Sequence, residues 1–277
     1  MHDPRVPETV EGWSILHQMF RMRWEAWRAL PDAERRQRAA AAVDGLSAMP
    51  RGEDGATALT TLLGHKGDLM LIHFRRDFDA LQAAQLAVAR LPVAPFLEAT
   101  SSYVSIVELG MYEMTAQIHG RLKEKGLAAG APEFEKAFDA EMDEQRKRVI
   151  GRLFQEVPAR RHVCFYPMNK RRGEHKNWYA VPVEERGRMM RDHGVIGRHY
   201  AGAVTQIISG SIGYDDWEWG VDLFADDPIV FKKLIYEMRF DEASTWYAEF
   251  GAFYVGLQFR ADQLPRLLEG EVPQLKG

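Results

Sequence analysis

Cys164 is the only cysteine in 277 residues. With one thiol the chain can form no internal disulfide and no thiolate metal cluster, so a reducing, cytoplasmic setting is expected. At a strand position Cys164 reads as a small buried hydrophobe before it reads as a nucleophile. Long apolar runs are absent too. No stretch reaches the roughly 18 residues of a membrane span, and the opening MHDPRVPETVEGW has no signal-peptide core, so no membrane partner is expected. Nor is there a surplus of one charge sign: 36 Lys and Arg stand against 40 Asp and Glu, a net charge of -4. Nucleic acids need a broad basic face, so no such partner is expected either.

What is present is core-forming material and pattern. Hydrophobic residues make up 46% of the chain and charged ones 27%, enough to bury one large domain or two smaller ones. Laid against itself, the chain repeats at an offset near 150: LPDAERRQR (Leu30 to Arg38) matches VPVEERGRM (Val181 to Met189) at Pro31/Pro182, Glu34/Glu185 and Arg35/Arg186. Asp77 falls opposite Asp227. Each half reads as strand, helix, strand, strand, helix, strand, the ferredoxin-like βαββαβ unit. Strands are expected at 12–22, 56–63, 69–74 and 101–112, with helices at 24–46, broken near Pro31, and 78–91. In the second half they are expected at 162–168, 204–209, 217–224 and 245–258, with helices at 183–192 and 228–238.

The expected fold is therefore α+β: tandem ferredoxin-like domains with antiparallel sheets, at 1–113 and 156–277, joined by a charged helical connector at 114–155. The alternative is a single α+β domain in which the repeat is chance.

Residue types with chemical potential cluster between Cys164 and Gly220. Tyr166, Met168 and Lys170 are spaced by two, so a strand aims all three at one surface. They fit a ligand-facing strand, or an amphipathic strand with a buried tyrosine and a solvated lysine. His193 follows on a helix, and Gly194 suggests that the helix ends there. At an offset of 151 its counterpart is Ala42, so one half carries a metal-ligand type where the other has a methyl group. His199 is its rival. Gln206, on the next strand, is a neutral donor and acceptor. Arg171, Arg172 and Lys176 suit carboxylates or a solvated loop. The aromatics Trp217, Trp219, Tyr236, Trp246, Tyr247, Phe250, Phe253 and Tyr254 read mostly as core.

The runs YPMNKRR, NWY, HGVIGR, GSIGYDDWEWGVDLFADDP and FKKLIYEMRFDEAS, in that order, resemble the chlorite dismutase-like superfamily, and most closely its coproheme decarboxylases. The resemblance is dense from about Arg152 to Gly256 and looser before it. It implies that Fe-coproporphyrin III (coproheme) is substrate and cofactor together, that hydrogen peroxide is the oxidant, and that haem b is the product. Further, it implies His193 as the proximal iron ligand and Tyr166 as a radical that takes hydrogen from a propionate. Lys170 would hold the second propionate to be lost, Gln206 would be the distal residue, and Met168 would line the pocket. Arg152 and Ser244 would bind propionates. A homopentamer with haem only in the second domain, and a transient contact with the coproporphyrin ferrochelatase, follow from the same resemblance. Asp241 and Glu242 are nearby candidates for the partner of the proximal imidazole. Chlorite dismutases proper use a distal arginine where this chain has Gln206. A non-enzymatic haem carrier or sensor would have no use for Tyr166 or Lys170.

Overall fold

Alternating apolar residues and short turns frame the computed structural model, which describes residues 3 and 5–275. In the first half, β1 (Thr9–Met22) leads to α1 (Trp24–Arg28) and α2 (Asp32–Ser47), which are separated at Pro31. Next come β2 (Ala56–Leu62), β3 (Leu69–Arg75), α3 (Phe78–Ala89) and β4 (Leu97–Gly110). The charged helices α4 (Tyr112–Glu124) and α5 (Pro132–Leu153) lead on to β5 (His162–Lys170), α6 (Val183–His199), β6 (Val204–Gly210) and β7 (Trp219–Ala225). The chain ends with α7 (Ile229–Met238), α8 (Glu242–Tyr247), β8 (Ala248–Phe250), β9 (Tyr254–Phe259) and α9 (Leu264–Leu268).

The repeat reappears in the helix caps. Pro31 and Pro182 precede α2 and α6 with nearly the same backbone angles, φ -57, ψ 144 and φ -54, ψ 143. Asp77 accepts from the Ala80 N–H at 2.8 Å and Asp227 from the Ile229 N–H at 2.9 Å, each satisfying a free donor at a helix start.

The first-half strands lie in the order β4-β1-β3-β2 and those of the second half in the order β6-β7-β5-β9. The two sheets do not stay separate. β4 pairs with β6 (Ile106 opposite Gly210) and β2 with β9 (Leu59 opposite Phe259), so eight antiparallel strands close into one barrel. Closure removes the free edges that either sheet would expose alone. Ile15, Met19, Met70, Ile72, Phe74, Phe165, Ile207 and Phe224 belong to the core cluster that fills the barrel.

The two outer faces differ. On the first half, Ala42 and Leu46 of α2 and Val88 of α3 pack against Leu59, Leu69 and Leu71, leaving a void of about 20 Å³. On the second half, α6 and α7 border a cavity of about 1680 Å³.

The structure departs from the expected elements in three places. α6 continues through Gly194 to His199, so Gly194 is not a C-cap and His193 sits inside the helix. The expected strand 245–258 is a helix and two strands. Asp241 caps α8 by accepting from the Ser244 N–H at 2.8 Å, and Gly251, where a Cβ would press on Pro167 and Trp217, separates β8 from β9. Among the aromatics, Tyr236 and Trp246 are exposed rather than core.

Candidate functional site

The floor of the cavity is the outer face of β5 and its neighbours. Strand alternation sends Tyr166, Met168 and Lys170 to this face, while Phe165 points into the barrel. Tyr166 is 4% exposed, with its ring 4.7 Å from that of Phe253 and 5.7 Å from that of Phe250. Burial pushes its phenol well above the usual range, so the ring is held neutral. Cys164, beneath it on the same strand, is buried and its thiol is pushed up to about 12, which removes it as a nucleophile near neutral pH.

Lys170 ends the strand. Its ammonium lies 4.4 Å from the centre of the Trp178 ring. Burial pulls its pKa down to about 8, against the opposing pull of Asp241 and Glu218. It is thus a cation at neutral pH whose proton is held more loosely than that of an exposed lysine.

The opposite wall is α6. Its lining residues Arg186, Met190, His193 and Gly197 recur at helical spacing and form one stripe. His193 Nδ1 lies 2.9 Å from Asp241 Oδ2. A carboxylate accepts, so Nδ1 donates and Nε2 keeps its lone pair. Asp241 also accepts from the Ser244 N–H at 2.8 Å and the Ser244 Oγ–H at 3.0 Å. Burial alone would raise this carboxyl, but the bonds from His193 and Ser244 hold it below the ordinary range. Of the two partner candidates, Asp241 makes the bond; Glu242 pairs with Arg188 at 2.6 Å. His199 faces Glu237 at 3.5 Å and does not line the cavity.

Gln206 lines the cavity from β6, Arg152 from α5 and Ser244 from α8, so the seven residues to which the family resemblance gives a role share one cavity. The basic trio does not join them: Arg171 pairs with Glu249 at 3.2 Å, Arg172 with Glu218 at 3.5 Å, and Lys176 lies over Trp246. Sequence reasoning missed the wall contributed by the first half and the connector. Glu108, Tyr112 and Arg5 line it, as do Arg186, Arg191 and Arg198 on α6. The α6 residues could have been found from the helical spacing that His193 sets. Glu108 could not, because only barrel closure brings β4 beside β6. Its carboxyl accepts from Trp219 Nε1 at 3.3 Å and is raised by burial.

The site therefore combines an oriented imidazole, a buried neutral phenol, a neutral amide and several cations around a large cavity. Among the described residues no three His, Cys, Asp or Glu side chains are grouped to hold a bare metal ion. Cations beside an imidazole suit a carboxylate-bearing ligand that carries its own metal.

A sequence profile described as chlorite dismutase matches residues 35–259. A Staphylococcus carnosus protein named coproheme decarboxylase is 41% identical over 252 residues, covering 90% of this chain and 92% of its own. A Natronomonas pharaonis protein named for heme binding is 44% identical over 268 residues, 96% of this chain and 42% of its own length. The chain spans about half the length of that protein and similar relatives. A solved heme-binding protein from Thermus thermophilus superposes with a TM-score of 0.79 at 37% identity, over 97% of this chain and 100% of its own. A chlorite dismutase from Candidatus Nitrospira defluvii shares the fold at 18% identity, with a TM-score of 0.70 over 94% of this chain and 96% of its own.

Proposed function

The chain belongs to the chlorite dismutase family, and from that membership we propose that it is a coproheme decarboxylase, converting two propionates of iron coproporphyrin III to vinyl groups with hydrogen peroxide to give haem b. The observation that carries this reading is the pairing of Tyr166 and Lys170 on the cavity floor with a histidine that Asp241 orients from the opposite wall. A haem carrier needs the histidine alone. The name of the Staphylococcus relative supports the same activity.

The residues fit the macrocycle. His193 would hold the iron through Nε2, because Asp241 occupies Nδ1. Arg152 and Lys170 supply charge for propionates, and charge-assisted bonds hold carboxylates best. When bound, the iron supplies the activation of peroxide. Tyr166 is kept as a neutral phenol, so oxidation removes a hydrogen atom from it. The oxidised ring would then take one from a propionate β-carbon, and the second oxidising equivalent of the peroxide would remove the remaining electron as carbon dioxide leaves. For each propionate, one peroxide and one proton are consumed, and carbon dioxide and two waters leave as the vinyl group forms. Gln206 orients the oxidant without fixed charge, which disfavours chlorite as the substrate. A homopentameric assembly and handover from the coproporphyrin ferrochelatase belong to this reading.

Tyr166→Phe separates enzyme from carrier. The variant is expected to bind iron coproporphyrin III with unchanged affinity, and mass spectrometry is expected to show all four propionates after peroxide. Normal haem b formation by the variant would remove Tyr166 from the mechanism.

A further inference from the structure

One arginine has different partners in the two repeats. At the offset of 151 that aligns Ala42 with His193, Arg35 aligns with Arg186 and Asp32 with Val183. Arg35 is fully served: its guanidinium pairs with Asp32 at 2.8 Å and Glu269 at 3.5 Å and donates to Leu30 O at 3.0 Å. Arg186 has lost that carboxylate, because Val183 stands in its place. It is 5% exposed, donates through Nη2 to Arg5 O, and has no partner at Nε. Among the described residues Arg186 makes no ion pair, whereas its α6 neighbours Arg188 and Arg191 pair with Glu242 and Glu113. A buried guanidinium without an anion is costly, and native chains seldom keep one without a use for it.

Its surroundings indicate the use. Arg186 lines the large cavity. It precedes His193 by seven residues, about 10.5 Å along the helix axis on the same face. Its guanidinium lies 6.0 Å from the Tyr112 ring, Tyr112 lies 6.3 Å from Trp178, and Trp178 carries the Lys170 ammonium on its face. Two cations thus flank one pair of aromatic rings at the same end of the cavity.

We propose that Arg186 binds a carboxylate of the ligand beside Lys170, making it a specificity residue for carboxylate-bearing macrocycles. The identity of the macrocycle rests on the function proposed above; the need for an anion rests on the unpaired guanidinium. The half of the repeat with a filled face keeps the arginine's internal carboxylate, and the half with the cavity leaves that place to the ligand.

The test is an absorbance titration of the full chain and its Arg186→Met and Arg186→Lys variants with iron coproporphyrin III and with iron etioporphyrin, which has no carboxylates. Arg186→Met is expected to weaken iron coproporphyrin III about 10- to 100-fold, the range of a lost charge-assisted bond. Arg186→Lys should recover part of the loss, and iron etioporphyrin should bind all three proteins alike. Melting of the ligand-free protein is the second readout. Arg186→Met should melt no lower than the parent, since no internal ion pair is lost. Unchanged affinity for iron coproporphyrin III, or equal losses for both macrocycles with a lower melting temperature, would overturn the assignment in favour of a structural arginine. If the parent binds iron coproporphyrin III but peroxide removes no carboxyl group, the decarboxylase reading fails, while the affinity ratio still decides the role of Arg186.

Discussion

Asp241 illustrates how much one side chain sets at this site. It fixes the tautomer of His193, anchors Ser244 and caps α8. Asp241→Asn keeps an acceptor for the cap but turns an amide N–H toward Nδ1, which favours the tautomer with its proton on Nε2. If His193 holds the iron, binding is then expected to weaken by about 10- to 100-fold, read as a rise in the dissociation constant for iron coproporphyrin III. An unchanged constant would mean that His193 is not the ligand. Lys170 gives a pH signature. Its folded pKa of about 8 lies below the ordinary 10.5, so the cost of burying its charge is constant below pH 8 and is relieved as the pH rises toward 10.5. Between these values the ligand-free protein should gain stability relative to Lys170→Met, by at most about 1.4 kcal/mol per pH unit, in urea melts at pH 7, 9 and 10. Ligand affinity should fall over the same interval. At this scale the sequence showed the residue types and the strand spacing of Tyr166, Met168 and Lys170. It did not show which of Asp241 and Glu242 meets His193, nor that Arg186 makes no ion pair, because both depend on packing between α6 and elements distant in the chain.

At the scale of the element, periodicity found most of the helices and strands, missed α8, β8 and α9, and failed where glycine was read as punctuation. Gly194 and Gly197 lie within α6 on the cavity side, where the lack of a side chain leaves room rather than ending the helix. The expected strand at 245–258 begins inside a helix, Glu242–Tyr247, that the Asp241 cap starts. Gly256 is the opposite case, a glycine the ladder requires: a Cβ there would collide with the Thr61 backbone, where β9 meets β2. Gly256→Ala is therefore expected to cost about 1–3 kcal/mol or more, measured as a lowered denaturation midpoint, by forcing the two strands apart. A midpoint equal to that of the parent would contradict the close β2–β9 approach.

For the whole molecule, the repeat in the sequence foretold two similar halves but not their fusion, because barrel closure is a matter of edges meeting in space. Inside the barrel, His17 from the first half meets Asp222 from the second at 2.9 Å, and both are fully buried. Asp222→Ala leaves His17 Nε2 buried without its acceptor and should cost about 1–3 kcal/mol, while calorimetry still shows a single transition because the two sheets share one ladder. The same closure explains the unequal outer faces. One is filled and carries Ala42; the other is open and carries His193. The proposed reaction on that open face is the conversion of iron coproporphyrin III to haem b. The direct measurement is to load the protein with iron coproporphyrin III, add hydrogen peroxide stepwise and follow porphyrin mass. Loss of two carboxyl groups at about two equivalents of peroxide, the ratio of one per propionate, is the predicted result. Tight binding followed by bleaching, with no loss of mass corresponding to carbon dioxide, would contradict it.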